Sequence, residues 1–298
     1  MTLRVNGSTR LAGIIGSPIG HTLSPAMHNA VYEHLDLDWV YIPLPVADET
    51  DLYQLLGAIR VLPFVGFNVT MPYKQAMLSL CDEVAMLARM AGAVNTVHFE
   101  GGRLIGYNTD GRGLLESLSL EAGFDPLGKD IVLVGAGGAA GAAFVSFMLG
   151  KARRITVVNR NLDRADELVA RMRSHLRVTE AATIETASAE SAIASADLIV
   201  NATPIGMKDG DPSPVPAAWL KPGQVVADMI YRATETPLQK AAHEAGAVAI
   251  NGLGMLVSQG ALAVDIWSES AQIRTPREVM RAAAEQAMVA MHTKEIDL

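Results

Sequence analysis

Short apolar runs rich in β-branched residues recur along this chain and alternate with longer segments of mixed character. Such runs, bounded by glycine, proline and small polar residues, are typical of buried strands. They predict strands over residues 11–15, 39–42, 65–70, 131–134, 155–158, 198–200, 225–228 and 247–250. Because these strands alternate with helical segments, the pattern predicts an α/β fold.

The loop after the first predicted strand is rich in turn residues and hydroxyl groups. Ser24 is a natural N-cap residue, with Pro25 at the first helical position. Apolar residues spaced four apart then predict a buried helical stripe formed by Met27, Val31 and Leu35. A loop between a strand end and a helix start faces the crevice of an α/β sheet, so Thr22 and Ser24 are candidate ligand contacts. Capping alone would also account for Ser24.

Lys74 follows the third predicted strand. Pro72 predicts a helix that begins there, and a base in the first turn opposes the helix dipole. A residue placed against local preference is a functional candidate, the alternative being an exposed lysine.

The segments 93–99 and 103–107 flank Glu100-Gly101-Gly102, which predicts a β-hairpin. Asn95 is a polar residue in an apolar strand and needs a backbone or ligand partner. Asp110 precedes a helical run over 113–120, where it could act only as an N-cap.

A glycine turn follows the strand over 131–134, at Gly135, Gly137 and Gly138, and Ala139 opens a small-residue helix. The spacing G-x-G-x-x-A between a strand and a helix is the context of a dinucleotide fingerprint, in which pyrophosphate meets the helix N-terminus. Glycines that serve only helix–strand packing are the alternative. A membrane span over 131–150 is rejected, because this stretch holds five glycines between Asp130 and Lys151.

The next strand predicts which cofactor is used. It ends at Asn159-Arg160, where an NAD site usually has Asp or Glu. Arg160 and Arg164 could pair with a 2′-phosphate, because a guanidinium matches phosphate geometry. This favours NADP over NAD, unless both arginines are simply solvated on a surface turn.

Composition narrows the classes further. The 298 residues allow two domains, and the net charge of −8 argues against a nucleic-acid partner. One cysteine, Cys81, excludes an internal disulfide and favours a reducing cytoplasm. We see neither a signal peptide nor a metal-binding pattern. Near the end, 256–267 and the segment after the capping box at 275–278 predict helices that pack back on the first domain.

Several of these segments together resemble the shikimate dehydrogenase family. They are GSPIGHTLSP (16–25), NVTMPYK (68–74), GAVNT (92–96), GYNTDG (106–111), GAGGA (135–139), NR (159–160), NATPIGM (201–207) and GLGMLVSQ (252–259). The resemblance implies a substrate-binding catalytic domain over 1–110 and 252–298, and a Rossmann-like, doubly wound NADP-binding domain over 111–251. It also implies NADP-dependent interconversion of 3-dehydroshikimate and shikimate, a step of aromatic amino-acid biosynthesis.

The resemblance carries residue roles with it. Lys74 and Asp110 match the family's catalytic pair. Substrate contacts are implied for Thr22, Ser24, Thr70, Asn95, Tyr231 and Gln259. Cofactor contacts are implied for Gly135, Gly137, Gly138, Ala139, Asn159, Arg160, Arg164, Thr203, Met207, Gly252, Gly254 and Met255.

Thr22 departs from the family pattern, which usually has serine there. The extra methyl narrows the wall expected to hold the substrate carboxylate, and relatives that act on quinate vary in this loop. A dual quinate/shikimate dehydrogenase that uses NAD or NADP is therefore an alternative. A non-catalytic, nucleotide-responsive regulator is a second one. In each case we expect small-molecule ligands, no nucleic acid or membrane partner, and a monomer or homodimer.

Overall fold

The computed structural model describes residues 5–173, 175, 179–268 and 274–296, without the side chains of 294–296. In chain order, the elements up to residue 122 are β1 (Arg10–Gly16), α1 (Ser24–His34), β2 (Trp39–Pro45), α2 (Glu49–Ile59), β3 (Phe64–Val69), α3 (Met77–Leu80), β4 (Glu83–Val84), α4 (Met86–Ala91), β5 (Thr96–Glu100), β6 (Arg103–Tyr107) and α5 (Asp110–Ala122). They are followed by β7 (Asp130–Val134), α6 (Gly138–Leu149), β8 (Arg154–Asn159), α7 (Leu162–Met172), β9 (Glu180–Glu185), α8 (Glu190–Ser195), β10 (Leu198–Asn201), β11 (Val225–Asp228), α9 (Pro237–Glu244), β12 (Val248–Ile250), α10 (Gly252–Trp267) and α11 (Arg277–Ile296).

The chain divides into two compact units. The first unit combines Met1–Thr109 with Val257–Leu298, and the second unit is Asp110–Leu256. The domain boundaries expected from sequence differ from these, because they placed Asp110 and residues 252–256 with the first part. Asp110 instead begins α5, and Gly252 packs in the second unit, where its N–H donates to the Ile230 carbonyl at 3.0 Å.

The first unit is built on a mixed sheet with strand order β2-β1-β3-β5-β6-β4. The strands β2, β1 and β3 run parallel, whereas β5 is antiparallel to β3 and β6. The predicted hairpin is confirmed as β5 and β6, with Gly101 and Gly102 at φ +57° and +82°. Only glycine adopts two such successive conformations without a steric cost.

The C-terminal helices pack on this sheet, as predicted. Trp267 of α10 is buried and donates its Nε1–H to the Val97 carbonyl of β5 at 2.9 Å. A Cβ on Gly66 would lie 2.2 Å from that same Nε1 atom, so glycine is required for the approach. The helix α11 packs against α1 and buries Met280 and Ala284.

The second unit is a parallel sheet with strand order β12-β11-β10-β7-β8-β9. The central strands are continuous apolar runs, as expected of parallel strands covered on both faces. The order reverses between β7 and β10, which gives the doubly wound arrangement that the sequence predicted. Within the described part of the chain, no helix is both long and apolar enough to cross a membrane.

The segment after β1 and the segment after β3 both differ from the sequence prediction. Ser24 is the first residue of α1 and Leu23 is its N-cap, which makes no side-chain capping bond. Residues 71–76 form turns, and the helix begins only at Met77. The bonds of this turn are mixed: Tyr73 N–H to Thr70 O at 3.0 Å joins residues three apart, and Met77 N–H to Tyr73 O at 3.1 Å joins residues four apart. A single bond of the second kind does not make a continuous α-helical ladder at Lys74.

Other local predictions also need correction. Asn95 lies just before β5 rather than inside a strand, and Asp110 is the first helical residue of α5. Thr275 lies two residues before α11, and its hydroxyl donates to the Asp265 carboxylate at 2.6 Å. Residues 179–196 contain the edge strand β9 and the helix α8, neither of which the sequence pattern predicts. The reason is that half-buried alanine and threonine residues leave little hydrophobic periodicity there.

Candidate active site

One edge of the first sheet gathers most of the predicted substrate contacts. The carboxyl ends of the parallel strands β1 and β3 lie side by side, and Ser24 and Thr70 follow them. Because β5 is antiparallel to β3, its amino end lies at the same edge, with Thr96 paired to Asn68 and Asn95 next to it. The fold of the first unit therefore brings together residues that are far apart in sequence.

Asn95 is the most highly connected polar side chain at this edge. It is buried, and its Oδ1 accepts the Thr109 backbone N–H at 2.8 Å. A backbone N–H can only donate, so this end of the amide is the oxygen. The Nδ2 atom donates to Thr109 Oγ1 at 2.9 Å and to Gln259 Oε1 at 3.3 Å. The predicted contacts Asn95 and Gln259 are thus bonded to each other.

A second layer of buried polar groups supports Asn95, and the sequence analysis assigned none of them a role. Thr96 Oγ1 donates to Asn95 Oδ1 at 3.0 Å and accepts from Asn68 Nδ2 at 3.1 Å. The Asn68 Oδ1 atom accepts the Tyr41 hydroxyl at 2.8 Å. The available signal was a polar asparagine in the apolar run of β3, which has to find a partner when it is buried.

Thr22 and Ser24 form a linked pair at the end of the loop after β1. The Thr22 hydroxyl donates to Ser24 Oγ at 3.2 Å and accepts the Ser24 N–H at 3.3 Å. Ser24 is buried and Thr22 half-buried. Burial raises the pKa of Tyr41 well above its ordinary value, and a hydrogen bond with the Ser24 side chain partly opposes the shift. Tyr41 therefore stays a neutral phenol between Ser24 and Asn68.

Backbone bonds fix the segment that carries Lys74. Thr70 donates its N–H to the Ile15 carbonyl of β1 at 2.8 Å, and the Lys74 carbonyl accepts the Val94 N–H at 2.8 Å. A Cβ on Gly16 would lie 2.3 Å from Thr70 Cγ2, so the two strand ends approach closely. Lys74 itself is half-buried. Its main chain is thus held between β1 and the approach to β5.

The second unit presents its own candidate contacts at the carboxyl edge of the parallel sheet. Gly135 follows β7 with φ +110°, and its N–H donates to the Val158 carbonyl at 2.8 Å. Gly137 is the N-cap of α6, and a Cβ added there would meet no atom within 4 Å. The turn therefore leaves room beside the free N–H groups of Gly138 and Ala139 at the start of α6, which is the geometry that a pyrophosphate needs.

The end of β8 carries the predicted phosphate residues. Asn159 is fixed by donating its Nδ2 to the Asn161 carbonyl at 2.8 Å, and Asn161 caps α7 by accepting the Arg164 N–H at 3.2 Å. Arg160 and Arg164 are exposed, and neither forms an ion pair within the described residues. Among the residues that the structure describes, no carboxylate is paired with either guanidinium to neutralise its charge.

The loop after β10 carries Thr203 and Met207. Thr203 donates its N–H at 3.0 Å and its Oγ1 at 2.7 Å to Asn201 Oδ1. Thr203 Cγ2 lies 3.0 Å from the position of a Cβ on Gly135, so this loop borders the glycine turn. Met207 is exposed to 42 % and presents a flexible apolar side chain.

The remaining predicted contacts lie near the start of α10. Gly252 approaches Met229 so closely that a Cβ would be 2.2 Å from the Met229 carbonyl oxygen. A Cβ on Gly254 would meet the Glu121 carboxylate at 1.6 Å, and Met255 is buried. Tyr231 is half-buried, and burial raises the pKa of its phenol.

Asp110 is buried at the first position of α5. The next residue, Gly111, lets α5 lie directly on α6, since a Cβ there would be 2.2 Å from the Ala142 carbonyl oxygen. The helix that carries Asp110 is thus fixed against the helix that begins at the glycine turn. Asp110 belongs to the second unit and Lys74 to the first.

Comparison with known proteins gives the chain its family. A family model described as the shikimate dehydrogenase substrate binding domain matches residues 14–97, and one described as shikimate / quinate 5-dehydrogenase matches residues 120–206. A shikimate dehydrogenase (NADP(+)) from Citrifermentans bemidjiense is 44% identical over 268 residues, covering 89% of this chain and 92% of that one. The chain belongs to the shikimate dehydrogenase family. The resemblance seen in the short motifs is thereby confirmed.

Solved structures of shikimate dehydrogenases have the same fold. A crystal structure of shikimate dehydrogenase in complex with NADP+ superposes with a TM-score of 0.87 at 36% identity, covering 96% of this chain and 98% of that one. The Thermus thermophilus shikimate 5-dehydrogenase in complex with NADP(H) and shikimate gives a TM-score of 0.82 at 34% identity, covering 94% and 100%. The α/β fold predicted from the sequence is confirmed.

Proposed function

We propose that this protein is an NADP-dependent shikimate dehydrogenase, which reversibly reduces 3-dehydroshikimate to shikimate in aromatic amino-acid biosynthesis. The observation that carries the proposal is the buried, fully bonded polar edge around Asn95 in a chain similar over nearly its whole length to enzymes named for this reaction. A site with fixed hydrogen-bond donors suits a substrate that carries several hydroxyl groups.

We assign substrate binding to the edge of the first unit, with Tyr231 as a contribution from the second. The hydroxyl pair of Thr22 and Ser24 can donate to a carboxylate by turning its protons towards it. Thr109 sets the orientation of the Asn95 amide, and Asn95 in turn donates to Gln259, before substrate arrives. Thr70, four residues before Lys74 in the chain, adds a further hydroxyl. The substrate thus meets donors that need little rearrangement.

We assign proton transfer to Lys74 and charge stabilisation to Asp110. Oxidation of a secondary alcohol releases one proton from the oxygen, and a lysine amine within hydrogen-bond reach can take it. Asp110, as a carboxylate, would accept a hydrogen bond from a substrate hydroxyl. Lys74 returns the proton to the oxygen in the reduction direction, so the same residue serves both directions.

We assign cofactor binding to the carboxyl edge of the second sheet. The free N–H groups at the start of α6 suit the pyrophosphate, and exposed Arg160 and Arg164 suit a 2′-phosphate. Asn159, Thr203, Met207, Gly252, Gly254 and Met255 complete the proposed contacts. When bound, NADP+ accepts the hydride from the carbon that carries the substrate hydroxyl.

The test is cofactor reduction by the purified protein, followed by near-ultraviolet absorbance. Shikimate and quinate are each combined with NADP and with NAD. We expect turnover with shikimate and NADP, and much less with the other three pairs. Comparable turnover with quinate or NAD would replace the proposal with a dual-specificity enzyme, which the description of the matched family model also covers. Binding of NADPH without turnover of any pair would favour a regulator.

A cytoplasmic location and a monomeric or homodimeric state complete the proposal. The location rests on the single half-buried cysteine, Cys81, because a reducing compartment needs no disulfides. Size-exclusion chromatography with light scattering would determine the oligomeric state.

A further inference from the structure

Asp228 is a buried carboxylate at the carboxyl end of β11 to which neither the fold nor the proposed chemistry assigns a role. Its Oδ1 accepts Asn201 Nδ2 at 2.9 Å and the Ile230 N–H at 3.1 Å, and its Oδ2 accepts the Thr236 hydroxyl at 2.7 Å. Burial raises the pKa of Asp228, and these three bonds oppose the rise. One carboxylate thus joins three segments of the second unit.

The first connection leads from Asp228 to the glycine turn. Asn201 Oδ1 accepts the Thr203 N–H, so its Nδ2 has to face Asp228, and a donor in that position requires an acceptor. Thr203 in turn lies 3.0 Å, through Cγ2, from the position of a Cβ on Gly135. The same Nδ2 also donates to the Ile205 carbonyl at 3.2 Å, so the Asn201 side chain links Asp228 to the loop over 201–207.

The second connection leads from Asp228 to the start of α10. The bond from the Ile230 N–H fixes the segment 229–231, and the Ile230 carbonyl accepts the Gly252 N–H at 3.0 Å. The Met229 carbonyl oxygen also lies against Gly252, within 2.2 Å of the position of a Cβ. The same carboxylate therefore holds the backbone on which Gly252 packs.

We propose that Asp228 is a positioning residue that holds the 201–207 loop and the 229–231 segment in the arrangement that receives the nicotinamide cofactor. It acts through Asn201 and Ile230 and makes no contact with the cofactor itself. Both of these partners donate to Oδ1, so the two connections are lost only when that oxygen is removed. The inference rests on the proposed use of NADP.

Asp228→Ala tests the proposal, with Asp197→Ala as the matched control. Asp197 lies next to the opposite, amino end of β10, where it accepts the Asp130 N–H at 2.8 Å and Lys129 Nζ at 3.3 Å. We titrate each protein with NADPH and follow cofactor fluorescence. Asp228→Ala should raise the Kd for NADPH about tenfold, since the Asn201 amide and the Ile230 N–H both lose this acceptor. Asp197→Ala should leave the Kd within about twofold, even where it lowers the melting temperature.

A second variant keeps the test informative if Asp228→Ala does not fold. Asn201→Ala removes the link to Thr203 and leaves Asp228 bonded to Ile230 and Thr236. It should weaken NADPH binding while the KM for shikimate at saturating NADP stays within about twofold. NADPH affinity equal to wild type in whichever of these variants folds would overturn the positioning role. Failure of the wild-type protein to bind NADPH would instead overturn the proposed function.

Discussion

The two units present their polar groups in opposite ways. At the edge of the first sheet, neutral amides and hydroxyls are buried and bonded to one another, as in the chain from Tyr41 through Asn68 and Thr96 to Asn95. At the edge of the second sheet, the proposed contacts are free backbone N–H groups and the exposed side chains Arg160 and Arg164. The first unit thus has donors whose positions are fixed by hydrogen bonds, whereas the second unit has free backbone N–H groups and exposed positive charge.

This difference matches what each class of ligand requires. A small polyol is distinguished from its analogues by which hydroxyl finds a partner, so the donors have to be fixed. A phosphate carries its own charge, and mobile guanidinium groups attract it without a preset geometry. The comparison predicts that substitutions in the first unit change turnover and specificity, whereas those in the second unit change cofactor affinity.

The largest expected effect comes from Lys74→Ala. Loss of the proposed proton acceptor should lower kcat by about 10²–10⁴-fold, because positioned acid–base groups contribute that much. NADPH binding should be unchanged, since the proposed cofactor contacts lie in the second unit. The control is Lys240→Ala, an exposed lysine of α9. Turnover that survives Lys74→Ala would contradict the assignment of the proton to this residue.

Removal of one arginine side chain should weaken only the binding of NADP. Arg160→Ala should raise the KM for NADP by about 10–100-fold, because a charge-assisted bond to phosphate is lost. The KM for NAD, which has no 2′-phosphate, should stay the same. Arg171→Ala, at an exposed position in the last turn of α7, is the matched control. An equal rise in KM for both cofactors would mean that Arg160 does not bind the 2′-phosphate.

The buried core of the first unit should make it sensitive to acid. His28 is buried in stacked contact with Tyr41, and burial lowers its pKa from 6.5 to about 3. The neutral ring is favoured in the folded state, whereas in the unfolded chain the ring takes up a proton as the pH falls below 6.5. The folded state therefore loses stability between pH 6.5 and pH 3. From pH 7 to pH 5 the loss should be about 2 kcal/mol.

Urea unfolding at the two pH values, followed by tryptophan fluorescence, measures this loss. The variant His28→Gln removes the titrating ring and should reduce the pH dependence by that amount. An identical pH dependence in both proteins would show that His28 does not titrate differently on unfolding. Asp228 in the second unit has the opposite sign, since its raised pKa favours the folded state at acid pH.

The smallest effect is expected at Thr22. Thr22→Ser removes a methyl group from a half-buried position and keeps the hydroxyl that bonds Ser24. The ratio of kcat/KM for quinate to that for shikimate should change by less than about tenfold. Thr183→Ser, on the edge strand β9, controls for the loss of a methyl group. A larger change would make Thr22 a determinant of substrate choice.

Local signals explain which parts of the fold were predictable. The glycine turn after β7 and the hairpin of β5 and β6 depend on residues adjacent in sequence, so both were correctly predicted. The assignment of Ser24 as an N-cap failed because its hydroxyl is engaged with Thr22 and Tyr41 instead. The helix expected at Lys74 failed because its carbonyl bonds Val94 from a different segment.

Non-local pairing also explains what was missed at the site. Asn68, Thr96 and Thr109 come from different strand ends, and only the antiparallel pairing of β5 brings them together around Asn95. No periodicity in the chain encodes that register. The role of Asp228 could not be predicted either, because its partners Asn201 and Thr236 lie 27 and 8 residues away in the chain. The motifs named the residues of the candidate site, while their hydrogen bonds required the fold.

The covering of Gly66 by Trp267 has a consequence for how the protein is made. Trp267 lies beyond the whole second unit in the chain, so the ribosome completes Asp110–Leu256 before this side chain exists. The second unit can therefore fold while the first still shows the uncovered face of β3 and β5. Domains usually fold in order of synthesis, but the first unit is complete only when the last helices have been made. Until then, Gly66 lacks the tryptophan side chain that covers it in the folded protein.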